Sequence, residues 1–155
     1  MKRSLLVLSC CCLAGPTSAQ VTVSYFPFKS VLGVSSNSEN KVWGGVNLET
    51  NTFLSNANVE FQGCFTVRKT PWVNYYLGLG INVNPFAALH QLSPVNGYAL
   101  TLGTRIKPFS AVPGGQVVFE VAPYINPYFD GGYIRTLLGI AYNFQRQPQK
   151  QQLGR

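Results

Sequence analysis

From Val42 to Phe144 the chain repeats one pattern, an apolar residue at every second position for about ten residues and then a turn. Successive side chains of a β-strand point to opposite faces, so a period of two means strands with one apolar and one polar face. In the first stretch Val42, Val46, Leu48, Thr52 and Leu54 share one side, and Trp43, Asn47, Glu49, Asn51 and Phe53 the other. Val59, Phe61, Phe65 and Val67 then oppose Glu60, Gln62, Cys64, Thr66 and Arg68. The third stretch sets Val73, Tyr75, Leu77, Leu79, Ile81 and Val83 against Asn74, Tyr76, Gly78, Gly80, Asn82 and Asn84. The fourth sets Tyr98, Leu100, Leu102, Thr104 and Ile106 against Ala99, Thr101, Gly103, Arg105 and Lys107. Val117, Phe119, Val121 and Ile125 oppose Gln116, Glu120, Ala122 and Tyr124, with a bulge expected at Pro123. Last, Ile134, Thr136, Leu138, Ile140, Tyr142 and Phe144 oppose Arg135, Gly139, Ala141 and Asn143. Turn formers separate the stretches at Ser55-Asn56-Ala57-Asn58, Pro113-Gly114-Gly115 and Asp130-Gly131-Gly132. No internal helix announces itself.

The N-terminus reads differently. Met1-Lys2-Arg3 is basic, Leu5 to Leu13 is apolar except for Ser9, Gly15-Pro16 breaks a helix, and Thr17-Ser18-Ala19 supplies small residues. This is the order of a secretory signal peptide, with cleavage between Ala19 and Gln20 and export through the Sec route. The apolar run is far short of the roughly 20 residues of a membrane-spanning helix. Lipidation at Cys10, Cys11 or Cys12 is the alternative, but Val7-Leu8-Ser9 fits a lipoprotein cleavage box poorly. The domains are then a signal peptide at 1–19, a barrel at 20–144 and a polar tail at 145–155. The mature chain keeps Cys64 alone, which reads as a small packed residue, and neither a metal nor a cofactor is implied. It carries ten basic and five acidic residues, a net charge of +5, scattered rather than clustered. That distribution does not point to nucleic acid; a neighbouring anionic lipid surface is the milder reading.

Which face meets water decides the class. A soluble barrel carries Lys, Arg, Asp and Glu on its outside. Here 46% of the residues are hydrophobic and only 11% charged, too few to coat a water-exposed face. The polar face, built of Asn, Gly, Thr, Gln and Ala, suits a narrow hydrogen-bonded lumen. The apolar face suits lipid, and strands of about ten residues match the membrane span. The fold class is therefore all-β, an antiparallel up-and-down transmembrane β-barrel; the alternative is a soluble secreted lipocalin-like barrel or jelly roll. Six strands follow from the alternation. Single-chain bacterial barrels have even strand numbers, so splitting Val21 to Ser36 at Pro27-Phe28-Lys29 gives eight.

The last strand, Leu137-Leu138-Gly139-Ile140-Ala141-Tyr142-Asn143-Phe144, resembles the C-terminal assembly signal of the small outer-membrane β-barrels of the OmpA and OmpX type. More loosely the chain resembles small barrels of Bacteroidetes-like bacteria. Gly139, Tyr142 and Phe144 match the signal; Leu137 stands where the family has a polar residue, and the family ends at the aromatic. The resemblance implies location in the outer membrane of a Gram-negative bacterium. It also implies contact with outer-membrane lipid, and periplasmic chaperones and the barrel-assembly machinery as partners during biogenesis.

An eight-stranded barrel is only wide enough to be filled by its own side chains. Alternation points Glu49, Glu60, Glu120, Arg68, Arg105, Lys107 and Arg135 into the lumen, where charges need partners. A structural ion-pair core is the favoured reading and a narrow ion or small-solute channel the alternative. Glu39, in a polar turn, reads as solvated and cheap to remove. A lipid-modifying enzyme would need a positioned nucleophile, base and acid. His90 and Ser93 lie in a loop with no acid nearby, so the reading is noncatalytic, with structural, envelope-integrity or surface-interaction duties. Mass spectrometry of the protein recovered from an expressing Gram-negative cell should give an N-terminus at Gln20; a retained Met1 or an acylated cysteine would refute the cleavage.

Overall fold

The computed structural model describes residues 20–49, 58–87, 93–108, 112 and 114–144. The signal segment 1–19, His90, residues 50–57 and the tail 145–155 lie outside the described residues. Eight strands close into an antiparallel up-and-down barrel in simple chain order. They are β1 (Val21–Phe26), β2 (Val31–Ser36), β3 (Val42–Glu49), β4 (Val59–Lys69), β5 (Val73–Val83), β6 (Val95–Ile106), β7 (Gly115–Ile125) and β8 (Gly132–Phe144). Strand β8 returns to β1 with Phe144 opposite Val21 and Ile140 opposite Tyr25. Closure leaves no sheet edge with unpaired N–H and C=O groups.

The break between β1 and β2 falls at Pro27. Its ring fixes φ and removes the N–H that a ladder would use, and the chain makes one 3-10 turn over Pro27–Lys29. The turn ends at Ser30 with φ 51°, a left-handed conformation that costs an L-residue about 1–2 kcal/mol. Alternation of direction puts residues 27–30, 58, 84–87, 93–94 and 126–131 at one end of the barrel. Residues 37–41, 70–72, 107–108, 112 and 114 lie at the other end, with Val21 and Phe144.

Residue parity along the strands follows the sequence pattern with one exception. Strand β4 has a bulge: Thr66 pairs with Tyr76, but Arg68 pairs with Tyr75. The extra residue, Val67, shifts the alternation by one. Val67 and Arg68 therefore both face outward, and Lys69, opposite Asn74, takes the inward place expected of Arg68. A second bulge lies in β6, where Asn82 pairs with Gly97 and Val83 with Val95. The bulge expected at Pro123 is absent. Leu102 pairs with Val121, Ala99 with Tyr124 and Tyr98 with Ile125, all in one register. The proline, outward-facing and without an N–H, sits in the ladder without an inserted residue.

The lumen is narrow enough that its rings need glycines in the facing wall. A Cβ at Gly103 would fall on the ring of the buried Tyr76, and one at Gly139 would come within 2.6 Å of Phe26 Cδ1. Missing side chains on one strand thus leave room for aromatic rings from the next. Gly103→Val should displace the Tyr76 ring and destabilise the barrel by about 1–3 kcal/mol, the usual penalty for overpacking. The check is the urea midpoint of the detergent-folded protein; an unchanged midpoint would mean that the ring does not rest on this wall.

Candidate functional site

The largest concentration of polar and charged chemistry lies inside the barrel, in two layers. The central layer starts at Glu60, whose side chain is 2% exposed. Glu60 Oε2 accepts from Arg135 Nη2 at 2.6 Å across the lumen, and Gln62 Nε2 donates to Glu60 Oε1 at 2.5 Å. Gly80 makes this possible, because a Cβ there would come within 3.3 Å of the Glu60 side chain. Glu120, equally buried, has Oε1 accepting from the Tyr76 hydroxyl at 2.5 Å. The Arg105 guanidinium lies over the Trp43 ring at 4.8 Å and the Tyr76 ring at 5.4 Å. The two rings themselves meet edge to face at 5.1 Å. Desolvated cation–π contacts of this kind contribute up to about 2 kcal/mol.

The second layer closes the end of the barrel that holds the termini. Here the structure corrects the reading of Glu39 as a solvated turn residue. Its turn folds over the mouth, and the side chain is only 10% exposed. Glu39 Oε2 pairs with Lys107 at 2.8 Å and Lys69 at 2.9 Å, while Oε1 accepts from Asn74 at 3.0 Å and Gln116 at 3.1 Å. Neighbouring residues of the turn are tied to the wall: Ser38 to Thr22, Asn40 to Thr66, Asn37 to Asn143. Burial opposes ionisation of Glu39, but the Lys107 and Lys69 ammonium groups outweigh it and hold the carboxyl below its ordinary range. The layers join through Gln116, whose Oε1 accepts from Arg105 at 3.4 Å.

Of the seven charges expected in the lumen, Glu60, Glu120, Arg105 and Arg135 form the central layer and Lys107 belongs to the second. Glu49 is inside but near the opposite end, accepting from Asn58 at 3.0 Å. Arg68 is outside, carried there by the bulge at Val67. Lys69 and Glu39 were not foreseen. The bulge has no marker residue, and a polar turn carries no sign of folding inward. Gly139, Tyr142 and Phe144, expected from the resemblance to form an assembly signal, lie along the closing seam. Gly139 makes room for Phe26, while Tyr142 and Phe144 face outward and meet at 4.8 Å. Gln20, the expected first mature residue, immediately precedes β1, and its side chain accepts from Asn37. Cys64 is a buried free thiol among lumen residues, and Ser93 is exposed. Comparison with family models, curated proteins and solved structures returns no match to this chain.

Removing one member of a buried ion pair strands the other, at a cost of about 3–5 kcal/mol. Glu60→Ala should therefore lower stability by that amount in detergent. Glu39→Ala should also destabilise, by about 1–3 kcal/mol, because buried donors lose their acceptor. A depressed carboxyl stabilises above its unfolded pKa and loses that contribution as pH falls through the folded value. The difference between wild type and Glu39→Ala should accordingly hold at neutral pH and shrink progressively as pH falls below the ordinary value of 4.5 toward the lower folded value. An effect of Glu39→Ala within error at pH 7 would mean that the turn does not close the mouth in solution.

Proposed function

We propose that this chain is a noncatalytic integral β-barrel of a bacterial outer membrane, with a structural, envelope-integrity or surface-interaction role. One observation carries the reading. Among the described residues, Arg68 at the end of β4 is the single charged side chain on an outward strand position. The rest of the outward face is Val, Leu, Ile, Phe, Tyr, Thr, Ser, Gly and Pro, with Leu79 70%, Ile134 70% and Ile140 66% exposed. Soluble proteins rarely expose an apolar patch above a few hundred Å², whereas this one circles the barrel. Polar groups are sequestered inside instead, the inverse of a soluble sandwich. Lipid is the solvent that matches such a surface.

The filled lumen favours this role over transport. Rings, an ion pair and a folded-in turn occupy the space that a continuous water path would need. Wild-type protein should co-fractionate with the outer membrane and migrate faster unboiled than boiled on a detergent gel. Planar bilayers containing it should show little or no conductance. Recovery as a soluble periplasmic protein would refute the membrane role, and large steady openings would favour the narrow channel.

A further inference from the structure

Charge is distributed unevenly between the two ends of the barrel. Among the described residues the end with the termini carries Lys41, Arg68, Lys69 and Lys107 against Glu39 alone, while the opposite end carries Lys29, Glu49 and Asp130. Lys69 and Lys107 are engaged by Glu39. Lys41 and Arg68 have no ion-pair partner among the described residues, and both stand on the outside of the barrel. They are neighbours: the Lys41 carbonyl accepts from Thr66 N–H at 2.8 Å, two residues before Arg68. Lys41 sits over the outward Phe65 ring at 5.6 Å. Trp72, in the turn after Lys69, is 61% exposed at the same level.

Directly below this pair the apolar wall is indented. Gly63 is the outward residue between Phe61 and Phe65 on β4, and a Cβ there would meet no atom within 4 Å. The missing side chain opens a groove of about 450 Å³ that begins at Val42 and Phe65 and runs past Leu77 and Leu79. A second groove of about 450 Å³ continues it, sharing Gly63 and Leu79 and ending at Ile81 and Tyr98. Two cations thus stand at the head of an apolar trough that runs along the strands toward the middle of the barrel.

We propose that Lys41 and Arg68, with the trough over Gly63, form a binding site for one anionic phospholipid. The phosphate sits between the ammonium and guanidinium groups, and an acyl chain lies in the trough between Phe61 and Phe65. Charge complementarity selects the headgroup and the missing side chain selects an occupant that is long and apolar. The proposal rests on the membrane reading above. With both termini on the periplasmic side, as single-chain bacterial barrels have them, the site faces the inner leaflet.

Trp72 reports on this site. The chain has two tryptophans, and the other, Trp43, is buried in the lumen. The full chain is reconstituted in phosphatidylcholine bilayers containing either brominated phosphatidylglycerol or brominated phosphatidylcholine, and quenching of Trp72 is measured. Phosphatidylglycerol should quench preferentially. A basic residue at a membrane surface contributes about a five-fold preference for anionic lipid. Lys41→Gln and Arg68→Gln should each lower the preference by about that factor. Gly63→Leu should lower it with the cations intact, since the trough is closed, and heat-modifiability on gels verifies that each variant is folded. Equal quenching by both lipids in wild type, or an unchanged preference in the Lys41→Gln/Arg68→Gln double variant, overturns the site and leaves the membrane reading standing. No quenching by either lipid overturns the membrane reading, and the site with it.

Discussion

The whole arrangement depends on closing a sheet of eight strands with its apolar side outward. Strand β8 must find β1, 119 positions earlier at Val23 against Tyr142, or the ladder ends in two open edges. Once it does, the wall has no open edge, and apart from the bulges alternate side chains are committed to a lumen too narrow for bulk water. The seam explains why the closing strands look as they do. Gly139 has no side chain because the Phe26 ring, 1% exposed, lies against it from β1. Tyr142 and Phe144 point the other way, onto the apolar outer wall.

A polar interior in so small a barrel is a demanding solution. Each charge placed inside loses its hydration and must recover it from neighbours. Glu60 does so through Arg135 and Gln62, on the same wall or directly across. Glu120 is satisfied at Oε1 by a tyrosine hydroxyl rather than by a cation. Arg105 relies on two aromatic faces and one amide oxygen. The lumen therefore holds together by mixed chemistry, with one direct salt bridge in the central layer. Glycines opposite the large side chains supply the volume that this chemistry needs, and they would look like weak points to any reading that judged a strand by propensity alone.

The two ends of the barrel are built differently. At the end with the termini a short turn folds inward and its carboxylate gathers two lysines and two amides into one layer. The same end presents two cations on its outer rim, Lys41 and Arg68, that have no ion-pair partner among the described residues. Inward and outward basic residues thus come from adjacent stretches of chain and answer two different anions, Glu39 inside and, on our proposal, a lipid phosphate outside. The bulge at Val67 separates the two roles, sending Arg68 out and Lys69 in.

Sequence alone determined six strands from Val42 to Phe144 and which face of each is apolar; the count of eight came from the even-strand rule. The faces are legible because a period of two is a local property that backbone geometry enforces without reference to the rest of the chain. Pro27 marked the break between β1 and β2 for the same reason, since a proline's missing N–H acts where it stands. The inward places of Glu49, Glu60, Glu120, Arg105, Lys107 and Arg135 follow from the same parity. Tertiary structure decided everything that depends on a partner across the lumen or along the neighbouring strand. Arg68 faces outward because β4 and β5 pair with one residue to spare, and nothing in β4 itself announces that surplus. Glu39 is buried because Lys69, Asn74, Gln116 and Lys107 converge on the mouth from β4, β5, β7 and the end of β6. A turn of Ser, Asn and Glu has the same local chemistry whether it hangs in water or caps a barrel; only closure brings those donors within reach.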